Sequence, residues 1–160
     1  MGETYTIRNL YQNEWEEATQ LAWNTFMMFE APDYEPEGVQ NFRDFLKDPT
    51  LKKMFLAGEY QVWGAFDNRI MVGVVSIRNR SHISLLFVDR DHQHKGIATA
   101  LLQALFSYAQ SEMDVNEITV NAAPYATGFY HKIGFVDLAG EKVTDGIRYT
   151  PMIIHLQSFK

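Results

Sequence analysis

The run Gln93-His94-Lys95-Gly96-Ile97-Ala98 carries the clearest chemistry in the chain. A strand-like segment, Ile83 to Val88, precedes it, and a helical pattern from Ala98 to about Glu112 follows. The first N–H groups of a helix lack partners within it, and the macrodipole adds roughly half a positive charge at that end. A short turn at such a start is a ready anion site. Gly96 lets a ligand approach the backbone with no Cβ in the way. The N–H groups of His94 through Thr99 would converge there. Gln93 adds an amide donor, and His94 and Lys95 add positive charge. The plainer alternatives are a simple tight turn at Gly96 and a solvated surface lysine at Lys95.

The rest of the chain must position this turn. At 160 residues it is expected to be one domain with a sizeable core. Its 46% apolar content is ordinary, and no apolar run reaches the roughly 18 residues that span a bilayer. Met1 to Tyr5 has neither the basic start nor the apolar stretch of a signal peptide. With no cysteine there is no disulfide frame and no thiolate nucleophile. A cytoplasmic protein with no membrane partner is the expectation. The formal charge of −6 argues against nucleic acid as a partner. It favours cationic partners such as amines, although ordinary solubility explains it as well.

Thr4 to Leu10 alternates as a strand does. Trp15, Ala18, Ala22, Phe26 and Phe29 recur at helical spacing over Glu14 to Phe29. Residues 31–38 break that pattern with two prolines. Val39 to Leu46 resumes it until Asp48-Pro49. Tyr60 to Phe66, Ile70 to Ile77 and His82 to Val88 read as three strands joined by short turns at 67–69 and 79–81. After the central helix come a strand at Glu117 to Asn121, a short helix from Pro124 to Ile133, and strands at Phe135 to Leu138 and Tyr149 to Leu156. The last two are joined by a polar loop. The order β-α-α-β-β-β-α-β-α-β-β predicts an α/β fold with a mixed, mostly antiparallel sheet of about seven strands flanked by about four helices. The central strand–helix–strand unit implies one parallel pairing.

Two blocks make this chain resemble the GNAT N-acetyltransferase superfamily. The first is Gln93-His94-Lys95-Gly96-Ile97-Ala98, which is similar to the family's Gln/Arg-x-x-Gly-x-Gly/Ala signature, with Ala98 at the last small position. The second is Asn121-Ala122-Ala123-Pro124, then Ala126, then Phe129-Tyr130-His131-Lys132-Ile133-Gly134-Phe135. The resemblance is detailed from about Ile70 onward and rests on element order before that. It implies a sheet split between the fourth and fifth strands. It also implies acetyl-CoA as cosubstrate, with no metal. The turn residues Gln93 to Thr99 would hold its pyrophosphate. The backbone of Leu86, Phe87 and Val88, with Asn121 and Ala126 across the split, would hold its pantetheine arm. A homodimer is admitted by the same resemblance.

The resemblance also implies roles in transfer to an amine. Tyr130 would protonate the departing thiolate. The amine must lose a proton before it can attack, and His82, eleven residues before Gln93, is the leading base. Ser84 shares its strand face and could relay a proton through water. Glu30, Asp33 and Glu35 form the second group, as bases or as binders of a cation. Phe26, Met27 and Tyr34 would wall the acceptor site. Met27 and Met28 cannot both lie on the apolar helix face, so one of them is expected at the cleft or at a partner. With no cysteine to carry an acetyl group, direct transfer in a ternary complex is expected. A small amine is the favoured acceptor. A protein lysine or N-terminal amine, or a non-catalytic acyl-CoA module, are the alternatives.

Overall fold

A computed structural model describes residues 5–156. Two helical layers enclose one eight-stranded sheet in the order β1-β2-β3-β4-β5-β8-β6, with β7 paired to β8. The strands are β1 (Thr6–Asn9), β2 (Gln61–Asp67), β3 (Ile70–Arg78), β4 (His82–Val88), β5 (Glu117–Ala122), β6 (Val136–Asp137), β7 (Lys142–Thr144) and β8 (Ile147–His155). The helices are α1 (Trp15–Phe29), α2 (Pro36–Lys47), α3 (Pro49–Leu56), α4 (Ile97–Met113) and α5 (Thr127–Ile133). Every strand pairing is antiparallel except β4 with β5. The expected mixed, mostly antiparallel sheet is the one found. Thr4, the expected start of the first strand, lies outside the described residues.

Two differences from the sequence reading have local causes. Asp48-Pro49 ends α2 as expected, yet the same pair opens α3. The Asp48 carboxylate accepts from the Thr50 N–H at 2.9 Å, and Pro49 takes a first-turn position where its missing N–H costs nothing. Pro36 opens α2 in the same way, three residues before the expected start. The polar loop between the last two strands folds back as β7, which pairs with β8 across Asp145 and Gly146, both at positive φ.

Each sheet face has its own core. Leu101, Leu102, Leu105, Phe106 and Ala109 follow helical spacing along α4 and pack on one face with Phe135 and Met152. Trp15, Ala22 and Phe26 of α1 pack on the other with Phe55, Val74 and Phe87.

The β4–β5 seam matters most. These strands pair at only two positions, His82 with Thr119 and Ile83 with Val120, and then part. On its other side β4 pairs with β3 along its length, and β5 pairs with β8 from Glu117 to Ala122. The sheet is therefore two antiparallel halves joined at one short seam.

The loop before α2 is pinned to the β7–β8 turn. Glu35 N–H donates to the Gly146 carbonyl at 3.0 Å, and Asn41 Nδ2 donates to the Asp145 carbonyl at 3.1 Å. Gly38 and Gly146 pack backbone to backbone, and a Cβ on Gly38 would collide with the Gly146 carbonyl. Gly38→Ala is expected to lower stability by about 1–3 kcal/mol, the usual range for overpacking. Chemical denaturation reads this, and an unchanged midpoint would show that the two segments separate freely.

Candidate active site

A cavity of about 940 Å³ occupies the gap between β4 and β5 and reaches the α1–α2 side of the sheet. Its walls include Leu86, Phe87 and Val88 of β4, Asn121 of β5, and Gln93, His94, Gly96, Ile97, Ala98 and Thr99 of the turn and α4. Ala126 and Tyr130 close the α5 side, and Phe26, Glu30 and Tyr34 close the α1 side. The structure thus brings together most of the residues singled out in the sequence. Five stay outside. Met27, Asp33 and Glu35 are exposed and do not border the cavity, and neither does Lys95. Met28 is exposed as well and also lies off the cavity.

At one end the backbone is shaped for an anion. His94 and Gly96 both take left-handed conformations, at φ 62° and 81°. Alternation of that kind turns successive N–H groups toward one point. The first helical bond of α4 runs from the Ala100 N–H to the Gly96 carbonyl at 3.0 Å. The N–H groups of Ile97, Ala98 and Thr99 precede it and form the open helix start. A Cβ on Gly96 would meet nothing within 4 Å, so it is the backbone angle rather than crowding that favours glycine here. Gln93 anchors the turn instead of only facing a ligand, since its Nε2 donates to the Val88 carbonyl at 3.0 Å. His92 braces it from behind. Its ring nitrogens lie 3.0 Å from Asp89 and 3.2 Å from Asp67, so the ring donates twice as an imidazolium. Asp89 first, and Asp67 with it, raise its pKa against a smaller desolvation effect.

The middle of β4 carries a bulge. Ser76 faces Leu85 while Ile77 faces Ile83, so Ser84 is the extra residue. Ile83 therefore joins the α4 core, whereas Leu85 and Phe87 join the α1 core. The Ser84 hydroxyl closes a triangle with Tyr60 at 2.5 Å and Ser76 at 2.7 Å, and Tyr60 and Ser76 lie 2.6 Å apart. Three hydroxyls, those of Tyr60 and Ser76 buried and that of Ser84 half-buried, satisfy one another there and fix the bulge.

At the seam, the Thr119 hydroxyl donates to the Ser81 carbonyl at 3.4 Å, and His82 Nδ1 lies 2.8 Å from Thr119 Oγ1. That pattern assigns the proton to Nδ1 and leaves Nε2 with a lone pair. Burial, and then Arg78, hold the imidazole pKa below its usual value, so it is neutral at pH 7.

Glu30 ends α1 beneath an aromatic shelf. Phe26 stacks on Phe42 at 4.2 Å and meets Tyr34 edge-on at 5.2 Å, and Phe29 stacks on Tyr125 at 5.6 Å. The Tyr34 hydroxyl donates to Glu30 Oε1 at 3.2 Å. Glu30 keeps part of its surface open to the cavity, but its carboxyl lies deep beneath this shelf. Burial pushes its pKa up to about 7 against the lowering effect of that hydrogen bond. Burial and the nearby Glu30 raise the phenols of Tyr34, Tyr125 and Tyr130, which all stay protonated at neutral pH. Tyr130 is 5% exposed, held edge-on between Phe129 at 5.3 Å and Phe135 at 5.2 Å. Asp33 and Glu35 are exposed, so the acidic loop of the sequence reduces to one buried carboxylate.

Among the described residues no group of three or more His, Cys, Asp or Glu side chains could hold a metal ion. No helix there is long and apolar enough to cross a membrane.

A sheet parted beside a glycine turn at a helix start is the architecture of an acyltransferase that binds coenzyme A. The family model described as "Acetyltransferase (GNAT) domain" matches residues 30–156, and the chain belongs to that family. It is 28% identical over 137 residues to YafP, an uncharacterized N-acetyltransferase of Escherichia coli K12, covering 86% of this chain and 85% of that one. Its fold matches a GCN5-related N-acetyltransferase from Rhodopseudomonas palustris with a TM-score of 0.82 at 22% identity, over 98% of each chain. It also matches the PaiA N-acetyltransferase from Thermoplasma acidophilum, solved with coenzyme A, with a TM-score of 0.72 at 20% identity. That match covers 95% of this chain and 99% of the other. The protein is a GNAT-type acetyltransferase.

Sequence reasoning missed Arg78 and Tyr125, which also border the cavity. The turn at 79–81 held a signal for the first, since a hairpin closed there sets Arg78 opposite His82.

The raised pKa of Glu30 gives a stability test. Between the ordinary carboxylate value of 4.5 and about 7, the folded chain binds the Glu30 proton more tightly than the unfolded chain does. Its contribution is fully present below about pH 4.5 and is lost as pH rises through 7. Glu30→Gln should therefore raise Tm relative to wild type at pH 8 and leave it near wild type at pH 5. An equal change at both values would contradict a buried, titrating carboxylate.

Proposed function

We propose that this protein transfers the acetyl group of acetyl-CoA directly to the primary amine of a small molecule in a ternary complex. The observation that carries this reading is the parting of β4 from β5 after two pairs, with open helix N–H groups at one end of the gap and Glu30 and Tyr130 on its walls. Acetyl-CoA would supply a thioester whose carbonyl carbon accepts the amine. The turn from Gln93 to Thr99 fits its diphosphate by backbone N–H groups alone. The gap-side backbone edge of Leu86, Phe87 and Val88, which has no strand partner there, fits the amide groups of its pantetheine arm, with Asn121 and Ala126 opposite. A β4 N–H would hold the thioester oxygen as it gains charge.

Glu30 is the proton acceptor in this reading. A carboxyl with a pKa of about 7 is half ionised near neutral pH and can take a proton from a bound ammonium group. Its charge bears on Tyr130, so the two groups share one region of the cavity. The new N–C bond forms as the C–S bond breaks. From ammonium to amide the nitrogen gives up two protons: the first goes to Glu30 and frees the lone pair, and the second restores the Tyr130 phenol, whose own proton has gone to sulfur. Burial weakens the phenol as an acid, but it also destabilises the thiolate in the same apolar site and makes it a stronger base, so the proton still has reason to move. A second reading keeps His82 as the base through water, because its Nε2 is free to accept a proton.

A CoA-release assay over amines, polyamines, amino acids and peptides tests the proposal. Tyr130→Phe should lower kcat by roughly a hundredfold or more while acetyl-CoA binding is kept. Turnover within twofold of wild type would remove Tyr130 from the chemistry. The base is decided by pH profiles. With Glu30 as base, wild-type kcat/KM rises through about pH 7, and Glu30→Gln loses roughly a hundredfold while His82→Ala keeps that limb. The reverse pattern would assign the base to His82.

A further inference from the structure

We infer that the amine acceptor also carries an anionic group, a carboxylate or a phosphate, and that Arg78 selects it. This inference rests on the N-acetyltransferase reading above and adds the class of acceptor. Arg78 is the one arginine on the cavity wall, and no lysine borders the cavity among the described residues. It ends β3 directly opposite His82. Its guanidinium lies over the Phe45 ring, 5.7 Å from the centroid. That contact holds the side chain at the cavity mouth without satisfying its charge or its hydrogen-bond donors. No carboxylate pairs with it among the described residues; the same holds for Arg43, Arg69 and Arg80, but of these only Arg78 borders the cavity.

Its position excludes the diphosphate as its partner. Arg78 stands at the start of β4, and the Gly96 turn follows the end of that strand. Seven residues of extended chain put roughly 20 Å between them. An anion bound at Arg78 would therefore belong to the acceptor. Glu30 supplies the complementary charge, with Phe26, Phe42 and Phe45 between the two as apolar wall. The pocket then fits an amphoteric molecule. Its ammonium group lies by Glu30 and Tyr130, an apolar body lies on the aromatic shelf, and its anion lies at Arg78. A guanidinium pairs with carboxylate or phosphate oxygens in a two-pronged geometry that an ammonium group cannot copy.

The test uses matched acceptors and reads binding as well as turnover. The pairs are phenylalanine against 2-phenylethylamine, and an aminoalkyl phosphate against the corresponding amino alcohol. Calorimetry with the CoA-loaded protein measures affinity for the N-acetylated form of each, and CoA release measures kcat and KM. The expected result is tighter binding and a lower KM, by about tenfold, for the anionic member of at least one pair. The carboxylate and phosphate pairs show which anion is used. Arg78→Met should abolish that preference through KM and affinity rather than kcat, and Arg78→Lys should restore only part of it. Equal affinity within both pairs, or an equal loss for both members in Arg78→Met, would overturn the inference. An anion preference in binding with no turnover for any acceptor would uphold Arg78 and defeat the catalytic reading instead.

Discussion

Everything in this structure depends on how few hydrogen bonds join β4 to β5. A central strand normally pairs on both sides, because unpaired backbone groups inside a protein are costly. Here β3 holds β4 and β8 holds β5, while the two strands share only the seam at His82 and Ile83. The bulge at Ser84 lies immediately past that seam. It adds local twist, and the hydroxyl triangle of Tyr60, Ser76 and Ser84 locks it in place. The backbone of residues 85–88 is left with hydrogen-bonding capacity toward the gap. A ligand rich in amide groups would complete the sheet there, by the same physics that adds a strand to an open edge.

Charge is distributed along the resulting cavity with little redundancy. The open start of α4 favours anions at one end. Arg78 supplies a cation at the other. Glu30 lies under a roof of aromatic rings, where its ionised form is poorly solvated. Such a group opposes stability above its ordinary pKa, and a fold keeps it where the tuned proton affinity is useful. The neutral His82 and the protonated Tyr130 follow from the same desolvation, acting in opposite directions on a base that gains charge and an acid that loses it.

Much of this was legible in the chain. The periodicity of α1 and α4 marked the helices that cover the two faces. The strand, glycine turn and helix from Ile83 to Glu112 marked the open helix start beside the gap, and the paired blocks at 93–98 and 121–135 carried the resemblance to the family. The misses were local. Asp48-Pro49 is both a stop and a start, and one dipeptide seen in sequence suggests only the stop. The β7 strand has three exposed residues and no apolar alternation to reveal it. Met27 was expected at the cleft because an apolar side chain off the core-facing stripe suits an apolar wall, but helical rotation turns it out to solvent.

The sequence alone determined the order of elements, the glycine turn at the start of α4 and the residue types available for proton transfer. These depend on nearest neighbours along the chain, on periodicity and backbone freedom. The tertiary structure alone decided which acidic residue counts. Glu30, Asp33 and Glu35 are chemically near-equal in the sequence, and only the rings of Phe26, Phe29, Tyr34 and Tyr125, assembled from α1, the following loop and the β5–α5 connection, strip water from one of them. It also decided that the strands part, that Ser84 is bulged, and that Arg78 meets the cavity. Desolvation and register are set by residues far apart in sequence, so only the assembled chain specifies them.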